Sequence, residues 1–91
     1  MLAYQLQGKM LYESGQYTEA LSIFGKAEEL CLELGNRYQL AWCYGWRAMI
    51  ADDQSDRETA KRCLKQALAI FTELHKSDES RMIQGLLDDI G

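Results

Sequence analysis

One pattern in this chain occurs twice, and it restricts the fold more than anything else in the sequence. The stretch GQYTEALSIFGKAEELCLEL, Gly15 to Leu34, returns forty residues on as SDRETAKRCLKQALAIFTEL, Ser55 to Leu74. The shift lays Ala20 on Ala60, Phe24 on Leu64, Ala27 on Ala67, Leu30 on Ile70, Glu33 on Glu73 and Leu34 on Leu74. Small residues return where two helices must approach closely, and large apolar ones return where a core must be filled. A unit that recurs at a period of roughly twenty to fifty residues cannot bury its apolar face alone and stacks against its copies.

The rest of the chain fits between and after these two stretches. Residues 2–13 read as a first helix, with Leu2, Ala3, Leu6, Met10 and Leu11 on one face at three- and four-residue steps. Gly15 is placed to take the positive φ that closes it, and a second helix runs from about Tyr17 to Leu34. Gly35-Asn36 is the next stop, before a third helix from about Arg37 to Asp52 in which Cys43, Trp46 and Ile50 repeat Ala3, Leu6 and Met10. Ser55 with Glu58 has the form of a capping box for a fourth helix, about Asp56 to Leu74. His75-Lys76-Ser77-Asp78 stands where Gly35-Asn36 stood, and a fifth helix from about Glu79 to Ile90 carries Ile83, Leu86 and Ile90, with Gly85 on Gly45. The expectation is one all-α domain over 1–91, a superhelical stack of two helical hairpins (about 2–35 and 37–75) plus a fifth, capping helix (about 79–90). Asp78, Glu79, Asp88 and Asp89 suit a cap with a wet outer face; a truncated third repeat fits as well.

Composition narrows the function. A chain of 91 residues buries only about 60–65% of its unfolded surface, so its stability is modest. No proline interrupts the helices. A net charge of −4 argues against a phosphate-binding surface, so no nucleic acid is expected. The start MLAYQLQGKM lacks a basic n-region, and no run approaches a membrane span, which points to a cytoplasmic protein with no membrane partner. Cys31, Cys43 and Cys63 are odd in number and sit in helical apolar patterns, as reduced, packed thiols do.

Read together, these residues resemble the tetratricopeptide repeat family. Gly8, Gly15, Tyr17, Ala20, Phe24 and Ala27 match its pattern in the first hairpin, and Tyr44, Ala48, Ala60, Leu64 and Ala67 match it in the second. The forty-residue period and the stop Glu33-Leu34-Gly35 are similar to a branch found within larger signalling scaffolds and regulators. Departures are Gln7 and Arg47 before the small residue of the first and third helices, Ser55 for the turn glycine, and no closing proline. About three repeats are normally needed for stability. Two and a half imply either a tightly capped monomer or assembly with another copy.

The resemblance implies that the first helix of each hairpin lines a concave groove. Trp42, Trp46 and Met49 then share one face of the third helix, joined by Gln5, Lys9 and Tyr12 from the first and Met82 and Asp89 from the fifth. Trp46, at the repeat position of Leu6 and Leu86, is equally readable as core. The carboxylate clamp of chaperone-type members would need donors where Gln5, Lys9, Gly45 and Met49 stand, and only Lys9 qualifies. Glu13, Asp52, Asp53, Asp88 and Asp89 finish the first, third and fifth helices. Carboxylates there oppose the macrodipole, at about 0.3–1 kcal/mol each. They read as an acidic rim for a basic partner, or as solvated turn residues.

Catalysis has little to work with. His75, the only histidine, is roughly 18 Å along a helix axis from Cys63, and no nucleotide-binding, nucleophile-elbow or metal-ligand spacing occurs. No enzyme activity, metal or cofactor is expected. The function expected is protein–protein interaction, holding a partner helix or peptide, with a basic or amphipathic partner favoured. One alternative is self-assembly through the ends of the stack, at Leu2, Tyr4 and Met10 on one side and Ile83, Leu86 and Ile90 on the other. Another is a piece of a larger signalling or transcription regulator.

Overall fold

The computed structural model describes residues 2–90, with side chains from Tyr4 onward. It contains five helices: α1 (Leu2–Glu13), α2 (Tyr17–Leu34), α3 (Arg37–Asp53), α4 (Arg57–Glu73) and α5 (Ser77–Ile90). No strand occurs among the described residues. Each helix packs on its neighbours in sequence, and α1 also touches α3.

Four turns join the helices, and all four have one geometry. Gly15, Gly35, Ser55 and His75 have φ of 78°, 67°, 63° and 59°, so the chain enters the left-handed region once every twenty residues. In each turn that residue's N–H and the next N–H fold back onto the carbonyls three and five positions earlier. Gln16 donates to the Leu11 carbonyl at 2.9 Å, Asn36 to Cys31 at 2.9 Å, Asp56 to Ala51 at 2.8 Å and Lys76 to Phe71 at 2.8 Å. This is the Schellman closure, which satisfies carbonyls that a helix end leaves unpaired.

Two sequence expectations are corrected by these turns. The capping box at Ser55 does not form, because Ser55 is the left-handed residue that closes α3; Asp56 is the N-cap instead, accepting from the Thr59 N–H at 3.3 Å. The fifth helix starts at Ser77 rather than Glu79, since His75 completes the turn as Gly35 does forty residues earlier.

Packing follows the repeated small residues. Ala20, Ala27, Ala60 and Ala67 are fully buried, with Phe24 and Leu64 between them. Gly8 is required by this packing: a Cβ there would lie 2.6 Å from the Phe24 ring. Cys31, Cys43 and Cys63 are buried thiols, not joined in a disulfide. Burial, with Cys31 beside it, pushes the Cys43 thiol up to about 12, far from thiolate chemistry at neutral pH. The expected apolar face of α1 needs a third correction, because Leu6 is 55% and Met10 68% exposed. Helix α1 instead turns Tyr4, Gly8, Leu11 and Tyr12 toward the rest of the fold.

Candidate partner-binding surface

Two indoles on α3 are held rigidly from behind. Trp42 meets Phe71 edge-on at 5.5 Å, and Tyr38 closes the same cluster at 6.4 Å from Trp42 and 5.8 Å from Phe71. Trp46 stacks on Phe24 with ring centroids 6.0 Å apart and planes 5° from parallel, while Tyr12 tilts against it at 6.0 Å. Both rings remain partly exposed on the other side. There they line a cleft of about 270 Å³ between α3 and α5, with Gly45, Met49, Met82, Ile83 and Leu86. Its wall is apolar throughout.

The repeat explains why the cleft lies here. Gln5, Gly45 and Gly85 are equivalent positions. Between α1 and α3, Gln5 fills the seam: its amide donates to the Gln39 backbone carbonyl at 3.2 Å and to the Gln39 side chain, with the Cys43 Sγ at 4.0 Å. Between α3 and α5 the same place is Gly45, whose nearest neighbour to an added Cβ is the Ile83 Cδ1 at 4.0 Å. The absent side chain leaves the gap.

Polar contacts tie the start of α3 to α5, to the turn before it and to the end of α4. Tyr38 Oη donates to Glu79 at 2.8 Å, Lys76 Nζ sits 5.2 Å over the Tyr38 ring, and Arg37 pairs with Glu73 at 3.0 Å. These contacts lie at the N-terminal end of α3. At the other end the three parallel helices α1, α3 and α5 finish in Glu13, Asp52 with Asp53, and Asp88 with Asp89, all exposed.

Of the residues named from the sequence, Trp42, Trp46, Met49 and Met82 are brought together in the cleft. Gln5 lies in the α1–α3 seam, Lys9 is exposed outside the cleft, and Tyr12 supports Trp46 from behind. Asp53 is engaged inside the chain: Tyr17 Oη donates to it at 3.2 Å. Burial first, then the neighbouring Asp53 carboxylate, pushes the Tyr12 hydroxyl up to about 12. Among the end residues, Ile83 is buried, Tyr4, Leu86 and Ile90 pack half-buried on the chain's own core, and Met10 is exposed. The side chain of Leu2 lies outside the described residues. Gly85 falls on Gly45 in the sequence, but the gap at Gly45 exists only once α3 and α5 stand side by side.

A wider depression of about 520 Å³ on the outer side of α2 is lined by Lys26, Glu28, Glu29, Arg47 and Leu32, among others. It is open, and the Glu28–Arg47 ion pair crosses it. Size is not the deciding property, because a specific site needs apolar walls that are already in place, and those are at Trp42 and Trp46. Among the described residues, no group of three or more His, Cys, Asp or Glu could hold a metal ion, and no helix is long and apolar enough to cross a membrane.

A family model described as tetratricopeptide repeat matches residues 1–73, which reaches the last residue of α4. Neither the curated proteins nor the solved structures compared with the chain gave a match.

Proposed function

This chain belongs to the tetratricopeptide repeat family, whose domains generally mediate protein–protein interaction, and from that premise we propose that it holds a partner's amphipathic helix in the α3–α5 cleft. One observation carries the reading: two immobilised indoles and two flexible thioethers converge on an apolar cleft of about 270 Å³. Trp and Met are enriched at protein interfaces, and hot spots sit in pockets of this kind. The partner inserts one large apolar side chain between Trp42 and Met82. It carries Lys or Arg about one to two helical turns away, toward Asp52 and Asp89, which stand about one turn beyond Met49 and Leu86. No bond is made or broken, and the mechanism is shape and charge complementarity, in keeping with a family that is typically non-catalytic.

The test uses helical peptides that share one leucine or phenylalanine anchor and differ in flanking charge. Basic peptides are expected to change tryptophan fluorescence saturably, with affinity falling as salt rises. Gly45→Leu fills the cleft from its floor and is expected to weaken binding roughly tenfold or more. Equal affinity of wild type and Gly45→Leu for the basic peptide would rule the cleft out.

A further inference from the structure

The chain carries three cysteines and four methionines, and the fold sorts these sulfurs by their access to water. Cys31, Cys43 and Cys63 are 1%, 0% and 6% exposed and belong to one core cluster. Burial raises the pKa of all three thiols, so the thiolate, the form that reacts with an oxidant, is scarce at each. A thioether needs no ionisation, and its sulfur lone pair is available wherever the side chain meets solvent. Among the described methionines, Met10 is 68% and Met82 43% exposed, and Met49 is half-buried. Two of these three, Met49 from α3 and Met82 from α5, line the same cleft.

That cleft is also where an oxygen on sulfur has the largest consequence. Its wall is apolar throughout, so a sulfoxide oxygen there finds no donor in the wall and keeps its hydrogen bonds only by staying in water. Seating an apolar anchor strips that water, and an unpaired polar group buried in this way costs affinity. Met10 stands on the outer face of α1, and the same change there leaves the cleft as it was.

We propose that Met49 and Met82 are oxidation sites through which a peroxide shuts the α3–α5 cleft to its partner, a regulation that rests on the cleft being the binding site. The sulfur lone pair attacks one oxygen of hydrogen peroxide, the O–O bond breaks and an S–O bond forms. The departing oxygen takes the proton of the transferred one and leaves as water. Sulfur gives up two electrons and the peroxide gains them. A thiol-dependent sulfoxide reductase reverses the step, removing the oxygen as water while two of its reductant's thiols become a disulfide.

The experiment treats the full chain with hydrogen peroxide, stops the reaction with catalase, and titrates it with a labelled basic amphipathic peptide that has a leucine anchor and no methionine or cysteine. Mass mapping is expected to find one added oxygen on Met49 and on Met82 with the three cysteines unmodified. Affinity for the peptide is expected to fall roughly tenfold or more with circular dichroism unchanged, and to return after treatment with the reductase. Met49→Leu/Met82→Leu conserves side-chain volume closely and is expected to bind the peptide equally before and after peroxide, whereas Met10→Leu is expected to lose affinity as wild type does. Unchanged affinity with both sulfurs oxidised overturns the regulation and leaves the cleft as the binding site. A peptide that does not bind the untreated chain overturns the cleft reading and the regulation with it. An equal loss in Met49→Leu/Met82→Leu, a loss accompanied by melting of the helices, or oxidation of the cysteines ahead of Met49 and Met82 also overturns the proposal.

Discussion

The turn from α1 to α2 and the turn from α3 to α4 share a backbone and divide its requirements in opposite ways. In the first, Gly15 takes the left-handed φ without a Cβ penalty, and Gln16 makes no side-chain cap to α2. In the second, Ser55 takes the same φ with a side chain present, and Asp56 caps α4. The turns between hairpins differ further: Gly35-Asn36 has both favourable residues, with Asn36 accepting from the Gln39 N–H at 3.2 Å, and His75-Lys76 has neither glycine nor a capping acceptor. The geometry is therefore imposed by the pairing of the helices, and residue type sets how much each turn adds to stability.

The largest expected effect lies under the first turn. Gly8 and Phe24 in the first hairpin correspond to Ala48 and Leu64 in the second, a smaller residue against a larger one. Gly8→Ala drives a methyl into the Phe24 ring and is expected to cost about 1–3 kcal/mol in urea denaturation. Phe24→Leu in the same chain recreates the second hairpin's pair and is expected to recover much of that loss; simple addition of the two single losses would break the equivalence.

Exchanging turn residues comes next. Ser55→Gly and His75→Gly each are expected to stabilise by about 0.5–1 kcal/mol, and Gly15→Ser to destabilise by a similar amount. Thermal midpoints read the sign. A loss of stability in Ser55→Gly would mean that the side chain does something the backbone does not reveal.

Supplying the missing cap is a comparable or smaller change: Gln16→Asp is expected to add about 0.5–1 kcal/mol by accepting from the first turn of α2. The smallest effect is a pH dependence of the second hairpin. Hydrogen bonds from Thr59 hold the Asp56 carboxyl below the usual range. A depressed folded-state pKa gives stability that is present above the unfolded value and lost as pH falls through the folded one. Denaturation midpoints of wild type and Asp56→Asn are therefore expected to converge in acid, and a constant gap between them would remove the carboxylate from the explanation.

Much of this fold was legible because the period constrains every level at once. The left-handed turns recur at the stops the sequence marked, and Ala20, Phe24 and Ala27 are core because their copies must be. The Ser55 capping box misled because Ser55-x-x-Glu58 and Asp56-x-x-Thr59 both offer a cap one residue apart, and only the closure of α3 decides between them. Leu6 and Met10 misled for a different reason. Helical periodicity identifies a face that can be buried, without indicating whether a helix is there to bury it. Spacing alone puts Trp42, Trp46 and Met49 on one face of α3, and the family resemblance adds Met82; it adds Gln5 and Tyr12 in the same way, and these lie elsewhere because their partners Gln39 and Trp46 are set by how neighbouring helices pack.

The methionines provide a direct test of the central claim, that the α3–α5 cleft receives the partner. Met49 and Met82 line the cleft, and Met10 is on the outer face of α1. Carbon-13 methyl spectra of the full chain, recorded through a titration with a basic amphipathic peptide, are predicted to shift Met49 and Met82 together while Met10 stays fixed. Movement of Met10 alone, with Met49 and Met82 unmoved at saturation, would contradict the account and transfer the interaction to the end of the stack.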